Sequence, residues 1–270
     1  MSEIRVANAP VSFGAFEATG GSDVPAAEDT LAAIVWGGYA GTELGPPGYL
    51  GDRRTLAASL KRHGLALTGG YVPIPFAEPH TLAELDLVLD LFEAADARKA
   101  RPVLADAGPR GATDWSRLRD GVDRAAEHAR ARGFAPVFHH HGETRVETTA
   151  EIERLLELTD IPLLLDSGHL ALAGGDPVRA LRDWRSRIDY VHLKDVRADA
   201  IRKPLSEVWR TGGFCDLGDG VVDLEGFLDE LERSGYGGWI VVEQDVLPGG
   251  FPAARESQAR NRRWLAARGI

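Results

Sequence analysis

Short apolar runs alternate with longer amphipathic ones along the whole chain. The short runs read as eight strands: Ile4–Asn8, Gly41–Leu44, Leu65–Gly69, Pro102–Ala105, Ala135–His139, Pro162–Asp166, Tyr190–Leu193 and Trp239–Glu243. Between them the apolar positions recur with a helical period over Ala26–Trp36, Arg53–Arg62, Leu82–Ala97, Trp115–Arg132, Thr149–Thr159, Pro177–Arg185, Leu224–Ser234 and Ala253–Ala267. Gly64, Gly133 and Gly235 stand where helices should stop, and Asp114 and Asp176 where two should start, with Pro177 in a first helical position. Strand followed by helix, repeated, predicts a parallel sheet. Eight such units at roughly 34 residues each predict a (β/α)8 TIM barrel, α/β in class, as one domain over residues 1–270. The rival, a doubly wound sheet, usually carries a GxGxxG turn after its first strand, and none follows Asn8.

A barrel does its chemistry at the C-terminal ends of its strands. Those ends hold Asn8, Glu43, His139 with His140 and His141, Asp166 with His169, His192 with Lys194, and Glu243. Five of the 8 histidines gather there. In PLLLDSGH the apolar run breaks off at Asp166, and His169 follows on the turn; Asp and His both suit a borderline divalent ion, while Asp166 could equally cap a helix. In YVHLKD alternation places His192 and Lys194 on one face; the plainer reading is a core histidine and a solvated lysine. Glu243 ends a fully apolar run, where an unpaired charge is costly, so it is a ligand, a catalytic carboxylate or an ion-pair partner. In PVFHHH alternation sends His139 and His141 to one side and His140 to the other, between strand and helix. Glu43 precedes a rigid GPPGY loop, and Phe16, Tyr71 and Trp209 are among the aromatics in the expected βα loops.

Composition narrows the classes. The chain has 44% hydrophobic and 27% charged residues, ordinary globular values, and a net charge of −10, a poor match for nucleic acid or an anionic membrane. Its single cysteine, Cys215, allows no internal disulfide and fits a reducing compartment. With no signal-peptide pattern and no stretch of membrane-span length, a soluble cytoplasmic enzyme or binding domain is the expectation.

The segments NAPVSFG, GYAGTELGPPGYL, HHHGET, LLLDSGHLALAGGDP, YVHLKDV and GDGVVDLEGFLDELERSGYGGWIVVEQD together resemble inosose dehydratases, within the xylose isomerase-like superfamily of sugar isomerases and epimerases. The resemblance runs from Asn8 to about Asp245. It implies one divalent ion (Mn2+, Co2+ or Mg2+) at the barrel mouth, with Asp166, His192 and Glu243 at three ligand positions. The epimerase branch has a glutamate as fourth ligand at the end of strand five; here that place holds His139, with His141 as the second choice. The paired carboxylates that move a proton in epimerases are therefore missing, which a dehydratase does not need.

The resulting expectation is a metal-dependent dehydratase of a cyclic polyhydroxy ketone, 2-keto-myo-inositol foremost. His169 or Lys194, with Glu43 also in the catalytic set, would handle protons, and His141, Glu147 and Asn8 would hold substrate. The alternative is a metal-dependent sugar (phosphate) isomerase or epimerase on the same barrel. A DNA-repair endonuclease needs a basic face and several metals, and a catalytically dead sugar-binding barrel would still hold metal. The partner is expected to be a small polyol or ketose, with neither nucleic acid nor membrane; monomer and homo-oligomer both stay open.

Overall fold

The apolar runs form strands because both of their faces are covered, one by the barrel interior and the other by helices. The computed structural model describes residues 3–16, 24–245 and 249–270. Its strands are β1 (Arg5–Asn8), β2 (Gly41–Thr42), β3 (Ala66–Leu67), β4 (Gly69–Ile74), β5 (Arg101–Asp106), β6 (Val137–His139), β7 (Leu163–Asp166), β8 (Ile188–Leu193), β9 (Asp195–Val196), β10 (Phe214–Cys215) and β11 (Trp239–Val242). The main sheet runs β3-β2-β1-β11-β8-β7-β6-β5-β4, parallel throughout, and β9 and β10 form a separate antiparallel pair. Its two outermost members, β3 and β4, are parted only by Thr68. The ring thus closes through one interrupted strand, which makes eight barrel strands among the described residues.

The helices are α1 (Ala27–Gly37), α2 (Leu56–His63), α3 (Ala83–Ala94), α4 (Trp115–Ala131), α5 (Thr149–Leu158), α6 (Ser167–Leu172), α7 (Pro177–Trp184), α8 (Leu205–Thr211), α9 (Leu224–Ser234) and α10 (Gly250–Ala266). Inward residues such as Ala7, Val103, Val137, Leu164, Tyr190 and Val241 fill the barrel, while the larger core lies between strands and helices. Asp114 and Asp176 cap α4 and α7 as expected, and left-handed Gly64 and Gly235 end α2 and α9. No described helix is long and apolar enough to cross a membrane.

Three departures have local causes. The strand expected over Leu65–Gly69 runs on to Ile74 after its break at Thr68. Gly69, the end of the expected strand, serves a close approach: a Cβ there would lie 3.0 Å from both Glu43 Oε1 and the Tyr190 hydroxyl. Helix α2 starts at Leu56 rather than Arg53, because the Asp52 carboxylate first binds the Arg54 and Thr55 amides in a turn. The long connection from β8 to α9 carries β9, β10 and α8, pinned by Asp195, whose carboxylate accepts from the amides of Val196, Gly218, Gly220 and Val222.

Candidate active site

Alternation along four neighbouring strands delivers the site. Tyr190, His192 and Lys194 share the inner face of β8 and its extension, and Asp166 pairs in register with His192. Val241 of β11 is also level with His192, which puts Glu243 on the same face just above the strand end. His139 ends β6 facing inward, whereas buried His140 faces outward and accepts the Asp166 amide through Nε2 at 3.2 Å. The ligand-type atoms of His139, Asp166, His192 and Glu243 all lie within 4.8 Å of one another.

Hydrogen bonds decide which atom of each residue faces the cluster. Asp166 Oδ1 accepts the His169 amide at 2.8 Å and caps α6, leaving Oδ2 for the cluster. His192 Nε2 lies 3.0 Å from Glu43 Oε1, so in its neutral form, the form that can ligate an ion, the ring would donate its N–H there and turn the Nδ1 lone pair inward. Asp166 Oδ2 and His192 Nδ1 are buried and make no well-aligned hydrogen bond, although Lys194 Nζ lies 3.3 Å from the first and Glu243 Oε2 3.0 Å from the second. Two carboxylates and two imidazoles with such atoms converging are a donor set suited to a borderline divalent ion.

Beside it lies a second group. Lys194 Nζ is 2.6 Å from Glu243 Oε2, 2.6 Å from Asp245 Oδ1 and 3.3 Å from Asp166 Oδ2. His169 Nε2 stands 3.2 Å from the same ammonium and 3.5 Å from Asp245 Oδ2. The rings of His141 and His169 are 4.0 Å apart, and His141 Nδ1 is 3.0 Å from the Gly142 carbonyl. Donation there leaves His141 Nε2 as an acceptor.

Charge follows burial and neighbours. Burial opposes charge on Lys194, yet Asp166, Asp245 and Glu243 overcome it and hold the ammonium well above its ordinary range. His192 behaves alike: burial disfavours the imidazolium, but Glu243 and Glu43 raise its pKa well above the usual value. His139 is pushed well below its usual value, chiefly by burial, and His141 down to about 3 for the same first reason. Burial raises the carboxyls of Asp166 and Glu243, but Lys194 above all outweighs it and holds both below the usual range.

A cavity of about 270 Å³ opens onto these groups. Its lining includes the polar groups Glu43, His139, His141, His192, Lys194, Glu243 and Asp245 and the less polar Ala9, Pro10, Val11, Phe16, Pro46, Tyr71 and Trp209, with the Tyr71 ring 6.2 Å from the rings of both His139 and His141.

The sequence matches the family described as xylose isomerase-like TIM barrel over residues 31–268. The chain belongs to that family. This xylose isomerase-like barrel is similar to inosose dehydratase of Lacticaseibacillus casei, 32% identical over 248 residues that cover 82% of this chain and 83% of that protein. Inosose dehydratase of Geobacillus kaustophilus (strain HTA426) is also 32% identical, over 279 residues covering 92% of this chain and 89% of that one. The solved structure of the IOLI protein with a binding zinc atom shares the fold, with a TM-score of 0.73 at 15% identity and 97% of both chains covered. The barrel is an enzyme, an inosose dehydratase-like carbon–oxygen lyase.

Most of the residues expected at the site meet at the mouth of this barrel, and His139 rather than His141 stands with Asp166, His192 and Glu243. Two do not. Asn8 points outward, where its Nδ2 donates to Gln258 Oε1 at 2.8 Å, because Ala7 and Ala9 take the inner positions of that strand. Glu147 lies outside the cavity lining, in an ion pair with Arg110 at 2.8 Å. His169 is 1% exposed and sits behind the wall, against Lys194 and Asp245. Asp245 was not singled out as a site residue, although alternation from Glu243 puts it on the same face.

Proposed function

We propose that the enzyme is a metal-dependent dehydratase of a cyclic polyhydroxy ketone, 2-keto-myo-inositol foremost, which removes a proton α to the ketone and expels water. His139, Asp166, His192 and Glu243 would hold one divalent ion, Mn2+, Co2+ or Mg2+, and Glu43 would orient His192. The ion supplies Lewis acidity towards the ketone oxygen. Lys194, held between Asp245 and His169, handles the proton that accompanies the departing hydroxyl. His141 offers Nε2 to a ring hydroxyl, and the less polar lining with Tyr71 and Trp209 takes the ring face.

The observation that carries this reading is the imidazole of His139 at the end of the fifth barrel strand, β6. A carboxylate there would give the opposed pair that an epimerase uses, and with His139 in its place the donor set has one negative charge fewer. That favours polarising a neutral ketone over passing a proton from face to face. The name of the curated relatives supports the same substrate class. The test is a screen of keto-inositols and ketohexoses with Mn2+, Co2+ or Mg2+, read by product mass. Loss of one water from a keto-inositol is expected; an epimerised ketose of unchanged mass would establish the isomerase or epimerase alternative instead.

A further inference from the structure

Both carboxylates that β11 delivers to the cavity lie past its end. The strand stops at Val242, and beyond it the Glu243 amide still donates to Leu193 O at 3.2 Å. Glu243 and Asp245 both line the cavity, as in a continued strand, with Gln244 between them on the opposite side. The ladder alone therefore does not set their direction. Gln244 is 2% exposed and is held by residues outside the barrel ring.

Its Oε1 accepts from Gln258 Nε2 at 3.0 Å and Asn261 Nδ2 at 3.4 Å and lies 3.0 Å from Ser257 Oγ, whose single proton is shared with the nearer Asp216 Oδ1; all three donors are on α10. Residues at 257, 258 and 261 share one face of that helix. Gln258 in turn accepts from Asn8 Nδ2 on β1, and Asn261 Oδ1 from the Leu217 amide at 2.9 Å. The Gln244 amide donates to Ser12 Oγ at 3.0 Å, in the 3-10 turn whose Pro10 and Val11 line the cavity. One buried residue thus ties the end of β11 to α10 by its side chain and to the 3-10 turn after β1 by its main chain. Gln244 Nε2 and Asn8 Oδ1 have no partner in this network, so the side chain is held through Oε1, and displacing that oxygen would leave further buried donors unpaired.

We propose that Gln244 is a positioning residue. Its grip on α10 sets the direction in which Glu243 and Asp245 leave the strand, and so brings Glu243 Oε2 to 3.0 Å from His192 Nδ1 and Asp245 Oδ1 to 2.6 Å from Lys194 Nζ. The proposal rests on the reading of Glu243 as a metal ligand.

The test compares Gln244→Met, similar in length but without the acceptor, with Gln244→Glu, which keeps an oxygen before the three donors. Each variant is titrated with Co2+ alone, followed by visible absorption, and its thermal unfolding is recorded. Gln244→Met is expected to bind Co2+ about tenfold or more weakly, the scale seen when groups behind metal ligands are removed. Its absorption band should shift, with little change in unfolding midpoint, and Gln244→Glu should restore most of the affinity and the band. Wild-type affinity and spectrum in Gln244→Met would overturn the proposal. So would loss of binding in both variants in step with loss of stability, which marks a packing role. If the wild type fails to bind Co2+, or Glu243→Gln binds it as well as wild type does, the metal-site reading fails, and this proposal with it.

Discussion

Asp166 divides its two oxygens between two tasks: Oδ1 starts a helix and Oδ2 faces the donor set. The sequence offered capping and ligation as rivals, and a carboxylate with two acceptors can do both. His139 and His141 divide in a similar way, one with the donor set and one with Lys194's group. His139→Ala should therefore lower divalent-metal affinity, read by equilibrium dialysis. His141→Ala should keep its metal and raise KM or lower kcat. The reverse pattern would make His141 the ligand. Glu43→Ala should weaken metal binding by about 10–100-fold, because the His192 ring loses the carboxylate that fixes its tautomer and orientation. Unchanged affinity in that variant would place Glu43 outside the support of the site. Period-two alternation sufficed to foresee that Asp166, His192, Lys194 and Glu243 share the inner face, since strand register sets that face, though not the final direction of Glu243 beyond the end of β11. Asn8 turns outward by the same alternation, which places Ala7 and Ala9 inside, whereas the pairing of Glu147 with Arg110 depends on the loop after β5 and has no period to read.

Elements were legible where a local signal agreed with the tertiary surroundings. Helix α5 shows this: Thr148 and Glu151 form a reciprocal capping box, with Glu151 Oε2 accepting the Thr148 amide at 2.8 Å. Burial raises the Glu151 carboxyl, but the amides of Thr148 and Glu147 outweigh it and hold it below its ordinary 4.5. A carboxyl lowered in the folded state contributes stability above its unfolded pKa, and loses that contribution as pH falls through the folded one. Glu151→Ala should thus cost about 1 kcal/mol at pH 7 by denaturant unfolding. The gap from wild type should hold down to about pH 4.5 and narrow below it. A gap that widens in acid would contradict the cap. The elements that stayed hidden, β9, β10 and α8, are short and lie in one connection. Their shape depends on the four amides gathered by Asp195 and on the Glu143 carboxylate, which accepts the Leu205 amide at the start of α8. Neither arrangement has a periodicity to read.

At the scale of the molecule, a site built from the ends of β6, β7, β8 and β11 links ligand binding to closure of the ring. An ion bound only by the folded chain stabilises it by about 2.7 kcal/mol at a hundred times its Kd. Saturating Mn2+ or Co2+ should therefore raise Tm by about 5–10 °C, and a chelator should reverse the rise. No shift with any divalent ion would argue against a metal held by these four side chains. The barrel as a whole was the most legible feature, because eight repeats of one pattern reinforce each other where a single strand is ambiguous. The order of the ring has a further consequence for a chain made from one end to the other. β1 pairs early with β2 but finds its second neighbour only when β11 emerges, and Glu243 follows directly behind β11. Until then the growing sheet has β1 and β8 as open edges, and the donor set lacks its last carboxylate. The four donors therefore meet only after β11 has been made, so any ion they hold would be taken up late, and the nascent chain needs protection along two strands at once.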